Sequence, residues 1–348
     1  MSPTSGQPSR ASSGASPDDD VAAHDHEVIS RGTTRRRYVQ RGVIVLILIV
    51  AALALAYMRS GSAVVVTQAV VTGILTGGVY GLVAMGLTLI FGVLDIVNFA
   101  HGAFLALALF VTFWLVNTVG IHPYVALAIT IPVMFGIGFM VQRGVLARAI
   151  GKPLENQLLI TLGISLVIEN TLLLFFGGDP RSVALHGDHA LHVFGAVADL
   201  SRVLAFAGAL LLAGVLYLLL QRTRLGTAIR AVATNDMGAQ LVGIDTRLIY
   251  ALTFAIGTAC AGAAGTLVAP LVTIEPTSGD MFNIIAFVVV VLGGMGNVIG
   301  ALVGGLIIGV TEQLSGLYLP GQSPLLLVFI VFVLVLFLRP QGLFGRTS

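Results

Sequence analysis

Chemistry needs groups that donate, accept or hold charge, and this chain offers few in useful combinations. Lys152 is the sole lysine and Pro153 follows it, whereas a phosphate-cradling P-loop needs Ser or Thr directly after its lysine. No nucleotide site of that type is present. Cys260 is the sole cysteine, which excludes an internal disulfide and any multi-thiolate zinc centre. It reads as a small packing residue. No nucleophile stands beside a base at a usable spacing, so no catalytic, metal or cofactor set is expected. What remains are polar side chains that interrupt apolar runs. Asn98 and His101 lie in Asp95-Ile-Val-Asn-Phe-Ala-His101, and Gly294, Gly296 and Asn297 lie in Gly293-Gly-Met-Gly-Asn-Val-Ile-Gly300. Irregular backbone at membrane depth survives only when buried in protein or lining a wet cavity, and broken helices in matching halves mark transporters. These five residues are candidates for a solute pathway, with interfacial turns as the equal alternative. Glu169, beside Asn170, is an acid inside an apolar run: by default a functional candidate, otherwise a hydrogen-bonded structural group or one nearer the surface.

The elements that must position these groups follow from composition. Only 10% of the 348 residues are charged, against about 25% for a water-facing fold, which excludes a soluble protein. The net charge of +2 is explained by loop orientation, and nucleic-acid binding is discarded. Residues 1–42 read as a disordered cytoplasmic tail, polar and without an apolar period until Arg31, Arg35, Arg36, Arg37 and Arg41 flank the first hydrophobic run. Residues 43–345 read as the transmembrane domain. Its apolar runs cover 43–58, 65–94, 102–119, 124–141, 157–177, 203–220, 248–269, 283–310 and 325–338. Each is apolar on all sides, which fits helices and not a barrel. The expected fold is all-α, a polytopic transmembrane helical bundle.

With the N-terminus inside, 15 of the 18 basic residues fall on the cytoplasmic side; Arg59, Arg181 and Arg202 do not. Nine simple crossings would strand Arg339 and Arg346 outside. The 283–310 run is therefore expected to split at Gly293-Gly294-Met295-Gly296 into a re-entrant hairpin or two short spans, giving 8 or 10 crossings. Gly73, Gly77 and Gly81, and the pairs Gly300/Gly304 and Gly305/Gly309, recur four apart. Such spacing lets helices approach closely, within the chain or across a dimer seam.

On the cytoplasmic side, Arg230 to Arg247 carries internal order. Thr234, Asn235 or Asp236 suits the cap of a short helix, and Gly243 suits its left-handed end. The helix between them, through Met237, Gly238, Ala239, Gln240 and Leu241, would present Met237, Leu241 and Val242 to a partner. This loop, ending in Gly243-Ile244, resembles the coupling-helix motif of importer-type ABC permeases. Three further stretches sharpen the likeness: Gly86-Leu-Thr-Leu-Ile-Phe-Gly-Val-Leu-Asp-Ile-Val-Asn-Phe-Ala-His-Gly102, Val291-Leu-Gly-Gly-Met-Gly-Asn-Val-Ile-Gly-Ala301 and Arg339-Pro-Gln-Gly-Leu-Phe-Gly345. Together, from about Val64 to Gly345, they resemble branched-chain amino-acid ABC transporter permeases of the LivH type. Ala103 departs from that pattern, where an acid often follows His-Gly; urea and short-amide permeases share the pattern. The resemblance implies a non-enzymatic subunit of the bacterial inner membrane that needs no cofactor. Its partners would be a second related permease or another copy of itself, two cytoplasmic ABC ATPases that hydrolyse ATP, and an extracytoplasmic substrate-binding protein. The rival is a stand-alone secondary transporter, which would need paired acids along its spans.

Overall fold

The computed structural model describes residues 61–183, 190–193, 196–318 and 324–345; the tail of residues 1–42 and the run 43–58 lie outside them. The helices are α1 (Ala63–Leu94), α2 (His101–Trp114, extended by a π turn over Leu115–Val119), α3 (Leu127–Gly144), α4 (Leu154–Phe176), α5 (Leu200–Arg222), α6 (Arg224–Thr234), α7 (Asp236–Leu241), α8 (Thr246–Val268), α9 (Ser278–Gly293), α10 (Val298–Tyr318) and α11 (Leu325–Leu338). Between α4 and α5, β1 (Ala190–Val193) pairs antiparallel with β2 (Ala196–Asp199). Among the described residues seven helices, namely α1 to α5, α8 and α10, are long and apolar enough to cross a membrane, and α9 and α11 are shorter apolar helices. The architecture is the all-α polytopic bundle that the apolar runs imply.

Breaks fall where backbone conformation demands them. Gly177 at the end of α4 and Gly294 and Gly296 between α9 and α10 have positive φ, which glycine adopts without a β-carbon penalty. The 283–310 run is thus divided as its glycines suggest, although α9 starts earlier, at Ser278, and α10 runs on to Tyr318. Ahead of the short helix expected between Asn235 and Gly243, the cytoplasmic segment carries a second one, α6: Thr223 Oγ1 accepts from Gly226 N at 3.0 Å to cap it, and Gly226, Ile229 and Val232 are buried.

Two helices form the centre. α1 crosses α10 through the glycines: a β-carbon at Gly77 would lie 2.7 Å from the Gly305 carbonyl oxygen and 2.8 Å from Leu306 Cα, and Gly73 meets Val310 Cα at 2.6 Å. The spacing of four therefore serves a contact within the chain. α8 packs on α2 through Phe104 and Phe254, whose rings meet edge to face at 5.9 Å, and through Thr112 Oγ1 donating to Thr266 Oγ1 at 3.0 Å. Leu174 and Phe175 of α4, Leu211 of α5 and Phe337 of α11 are exposed, as lipid-facing side chains are. α9 begins beside the middle of α1, not beside its end: Phe282 meets Tyr80 edge to face at 6.0 Å, and Gly279 abuts Gly102.

Candidate functional site

The segment from Thr223 to Asp245 is built from caps. Asn235 Oδ1 accepts from Gly238 N at 2.8 Å, so of the three candidate caps it is Asn235 that starts α7. At the other end Gly243 has φ +85°; its N–H donates to the Gln240 carbonyl, and Ile244 N–H donates to the Ala239 carbonyl, both at 3.0 Å. That pair of bonds is a Schellman closure. Asp245 Oδ1 then accepts from Leu248 N at 3.2 Å, capping α8 immediately afterwards. Ala239 is buried beneath α7, while Met237, Leu241 and Val242 are 75%, 84% and 76% exposed. A six-residue helix and its C-cap thus hold three large apolar side chains outward, joined to the central helix α8 through two fixed caps. Thr234 Oγ1 donates to the Arg230 carbonyl, and Gln240 Nε2 to Asp236 Oδ1.

Beside this segment lies a cavity of about 860 Å³ between the end of α1, α5, α6 and the α9–α10 break. Its polar lining includes Thr88, Asp95, Tyr217, Gln221, Arg230 and Asn297. Thr88 is fully buried and its Oγ1 has no partner.

The five pathway candidates divide into two groups. Gly296 and Asn297 line the cavity; Gly294 sits behind them against the C-terminal stretch at Phe344 and Gly345. Asn297 also has structural tasks, since its Oδ1 accepts from Gly300 N at 2.9 Å and its Nδ2 donates to the Phe344 carbonyl at 3.1 Å. Asn98 and His101 are wholly enclosed instead. Asn98 Oδ1 accepts from Ala100 N at 3.1 Å. His101 Nε2 lies 3.0 Å from the Val83 carbonyl, which only accepts, so Nε2 carries the proton and Nδ1 is left without a partner. The 95–101 break is clamped from α9 by Asn283, whose amide accepts from Gly102 N and donates to the Phe99 carbonyl.

Glu169 accepts from Ser165 Oγ at 2.8 Å and, with Asn170 and Glu275, edges a smaller cavity of about 260 Å³. The intramembrane acid with the deeper setting is Glu312 on α10. It is 8% exposed, interacts electrostatically with Tyr80, and its Oε2 has no partner. It lies beyond Val310, where the apolar run ends, although the glycine period of Gly305 and Gly309 continues toward it and α10 extends to Tyr318.

Residues 69–338 match the family model described as branched-chain amino acid transport system / permease component. The chain is 31% identical over 296 residues to the high-affinity branched-chain amino acid transport system permease protein BraD of Pseudomonas aeruginosa, covering 80% of this chain and 95% of that protein. It is 30% identical over 309 residues to the permease protein LivH of the corresponding system in Escherichia coli K12, with the same coverage. No solved structure matches the chain.

Proposed function

This chain belongs to the family of branched-chain amino-acid transport permeases, and from that premise we propose that it is the membrane subunit through which an ATP-driven importer moves branched-chain or other apolar amino acids across the bacterial cytoplasmic membrane. The observation that carries the mechanism is α7: three exposed apolar side chains on a six-residue helix and its C-cap, with no covering element in the described chain and rigid caps on both sides. Such a knob fits a cleft in a cytoplasmic ATPase. Closure of two ATPases on nucleotide would displace α7, and the four-residue link from Val242 to Asp245, held by the Gly243 closure and the Asp245 cap, leaves little slack before α8. Because α8 is enclosed by α1, α2 and α3, displacement there biases the whole bundle between two access states. The second permease and the extracytoplasmic binding protein complete the assembly. In this reading Gly296 and Asn297 stand where solute leaves the cavity toward the cytoplasm, and Asn98 and His101 hold the neighbouring break in shape.

Uptake by a strain lacking this chain tests the reading directly. Leucine, isoleucine and valine accumulation should collapse on deletion and return with the intact gene. Normal accumulation of all three, with loss of urea or short-amide uptake, would reassign the solute; loss of none would remove the importer reading.

A further inference from the structure

A second cleft of about 860 Å³ lies between the end of α3 and the α7–α8 junction, and it plays no part in the pathway described above. Gln142, Arg143, Arg148, Asp236, Asp245 and Arg247 supply its polar lining. Among the described residues none of the three arginines is paired with a carboxylate. Arg143 leans over the Phe139 ring, 5.8 Å from its centroid, and Arg148 donates to the Gly144 carbonyl. The cleft also holds two carboxylates, each accepting from a neutral donor at 3.2 Å and so keeping its charge: Asp245 from Leu248 N and Asp236 from Gln240 Nε2. Three guanidinium groups thus line one cleft with two carboxylates, none of them in an ion pair, which leaves an excess of one positive charge. In the wall beside them Gln142 is 1% exposed, and neither its Nε2 nor its Oε1 has a partner. A buried amide left unmatched is destabilising, and a ligand or water offering both donor and acceptor removes that cost.

Location narrows the ligand. The cleft joins the last turn of α3 to the first turn of α8, where spans end and hydrocarbon gives way to water. Along α3, Val133 and Met140 are exposed, Met140 by 72%, and they form an apolar track leading to Arg143. We infer that this cleft holds the phosphate headgroup of an anionic membrane phospholipid, with Arg143, Arg148 and Arg247 on the phosphate and an acyl chain along Val133 and Met140. Guanidinium forks match phosphate geometry, and basic pockets at the cytoplasmic ends of spans suit such headgroups. Since Arg143 belongs to α3 and Arg247 to the first turn of α8, the occupant bridges α3 and α8 directly beside the ATPase-facing helix.

The test uses the full chain purified in detergent and follows its thermal unfolding midpoint during titration with dioleoyl-phosphatidylglycerol, dioleoyl-phosphatidylcholine or inorganic phosphate. Phosphatidylglycerol should raise the midpoint saturably and phosphatidylcholine should not. The combined variant Arg143→Gln, Arg148→Gln, Arg247→Gln should need roughly tenfold more phosphatidylglycerol for half the effect. If that variant does not fold, Gln142→Leu and Arg247→Gln singly carry the test, each shifting the half-point upward. An unshifted half-point in the variants overturns the assignment, as does an equal effect of phosphatidylcholine. Inorganic phosphate matching phosphatidylglycerol at equal concentration would replace the lipid by a free anion. Loss of capture by a purified partner ATPase, with the phosphatidylglycerol response intact, would make the cleft a protein contact instead.

Discussion

Gly243 carries a burden out of proportion to its size. A β-carbon there would meet no neighbour within 4 Å, so crowding is not the constraint; the φ of +85° is, and a non-glycine residue in the left-handed region costs roughly 1–2 kcal/mol. Gly243→Val should leave the protein inserted yet loosen α7, so that a reconstituted complex loses most of its binding-protein-stimulated ATP hydrolysis and solute uptake together. Gly243→Asn should retain most of both, because Asn visits that region more readily. Normal stimulated turnover in the valine variant would reduce α7 to a connector. Asn297 is constrained by bonds, not by backbone angle: Asn297→Leu removes two hydrogen bonds, each worth about 0.5–1.5 kcal/mol. It should lower the unfolding temperature and slow uptake while the complex still assembles. Unchanged uptake for Asn98→Leu, His101→Leu and Asn297→Leu alike would leave both breaks as turns and nothing more. Residues of this kind were legible in the sequence because caps and left-handed glycines have local signatures. Glu312 was not, since its partner Tyr80 lies far away in the chain and only the folded bundle joins them.

Among the elements, the α1–α10 crossing sets the strictest demand. Gly77→Leu would drive a side chain into the Gly305 backbone, and membrane helices held by close approach have no hydrophobic force to compensate. The variant should give little monodisperse protein after detergent extraction. Gly136→Leu on α3, where nothing lies within 4 Å of the added carbon, should extract like the parent. Equal yields from the two would mean that the crossing tolerates separation. Glycine periodicity announced this contact, but not which helix would answer it, because spacing on one helix says nothing about register on another. α6 and the β1–β2 hairpin were unreadable for a related reason: α6 gains its buried side only by lying on α5, α7 and α1, and four-residue strands are too short to establish a period.

For the molecule as a whole, the basic residues give a topology that labelling can check. With Cys260→Ala as background, cysteines placed at 148 and 230 should resist impermeant thiol reagents in intact cells and react after permeabilisation, as the charge asymmetry requires. Rapid labelling of either from outside would invert the arrangement. The bundle itself could be anticipated because hydropathy fixes length and depth for every span; which spans are central could not, since α1 and α4 are similarly apolar and only α1 is enclosed. That enclosed helix has a further property. Near its start, Gln68 donates to the Val197 carbonyl at 2.7 Å and accepts from Val197 N at 2.8 Å, gripping the hairpin by both backbone groups. Thr88 and the following Asp95 face the cavity at its other end. About 48 Å of unbroken rod is therefore fastened to a hairpin at one tip, borders a chamber at the other, and is pinched near its midpoint where Gly77 meets Gly305. A rod so held has the layout of a seesaw. A tilt about that pinch would move its two tips in opposite directions without any backbone angle in α1 having to change.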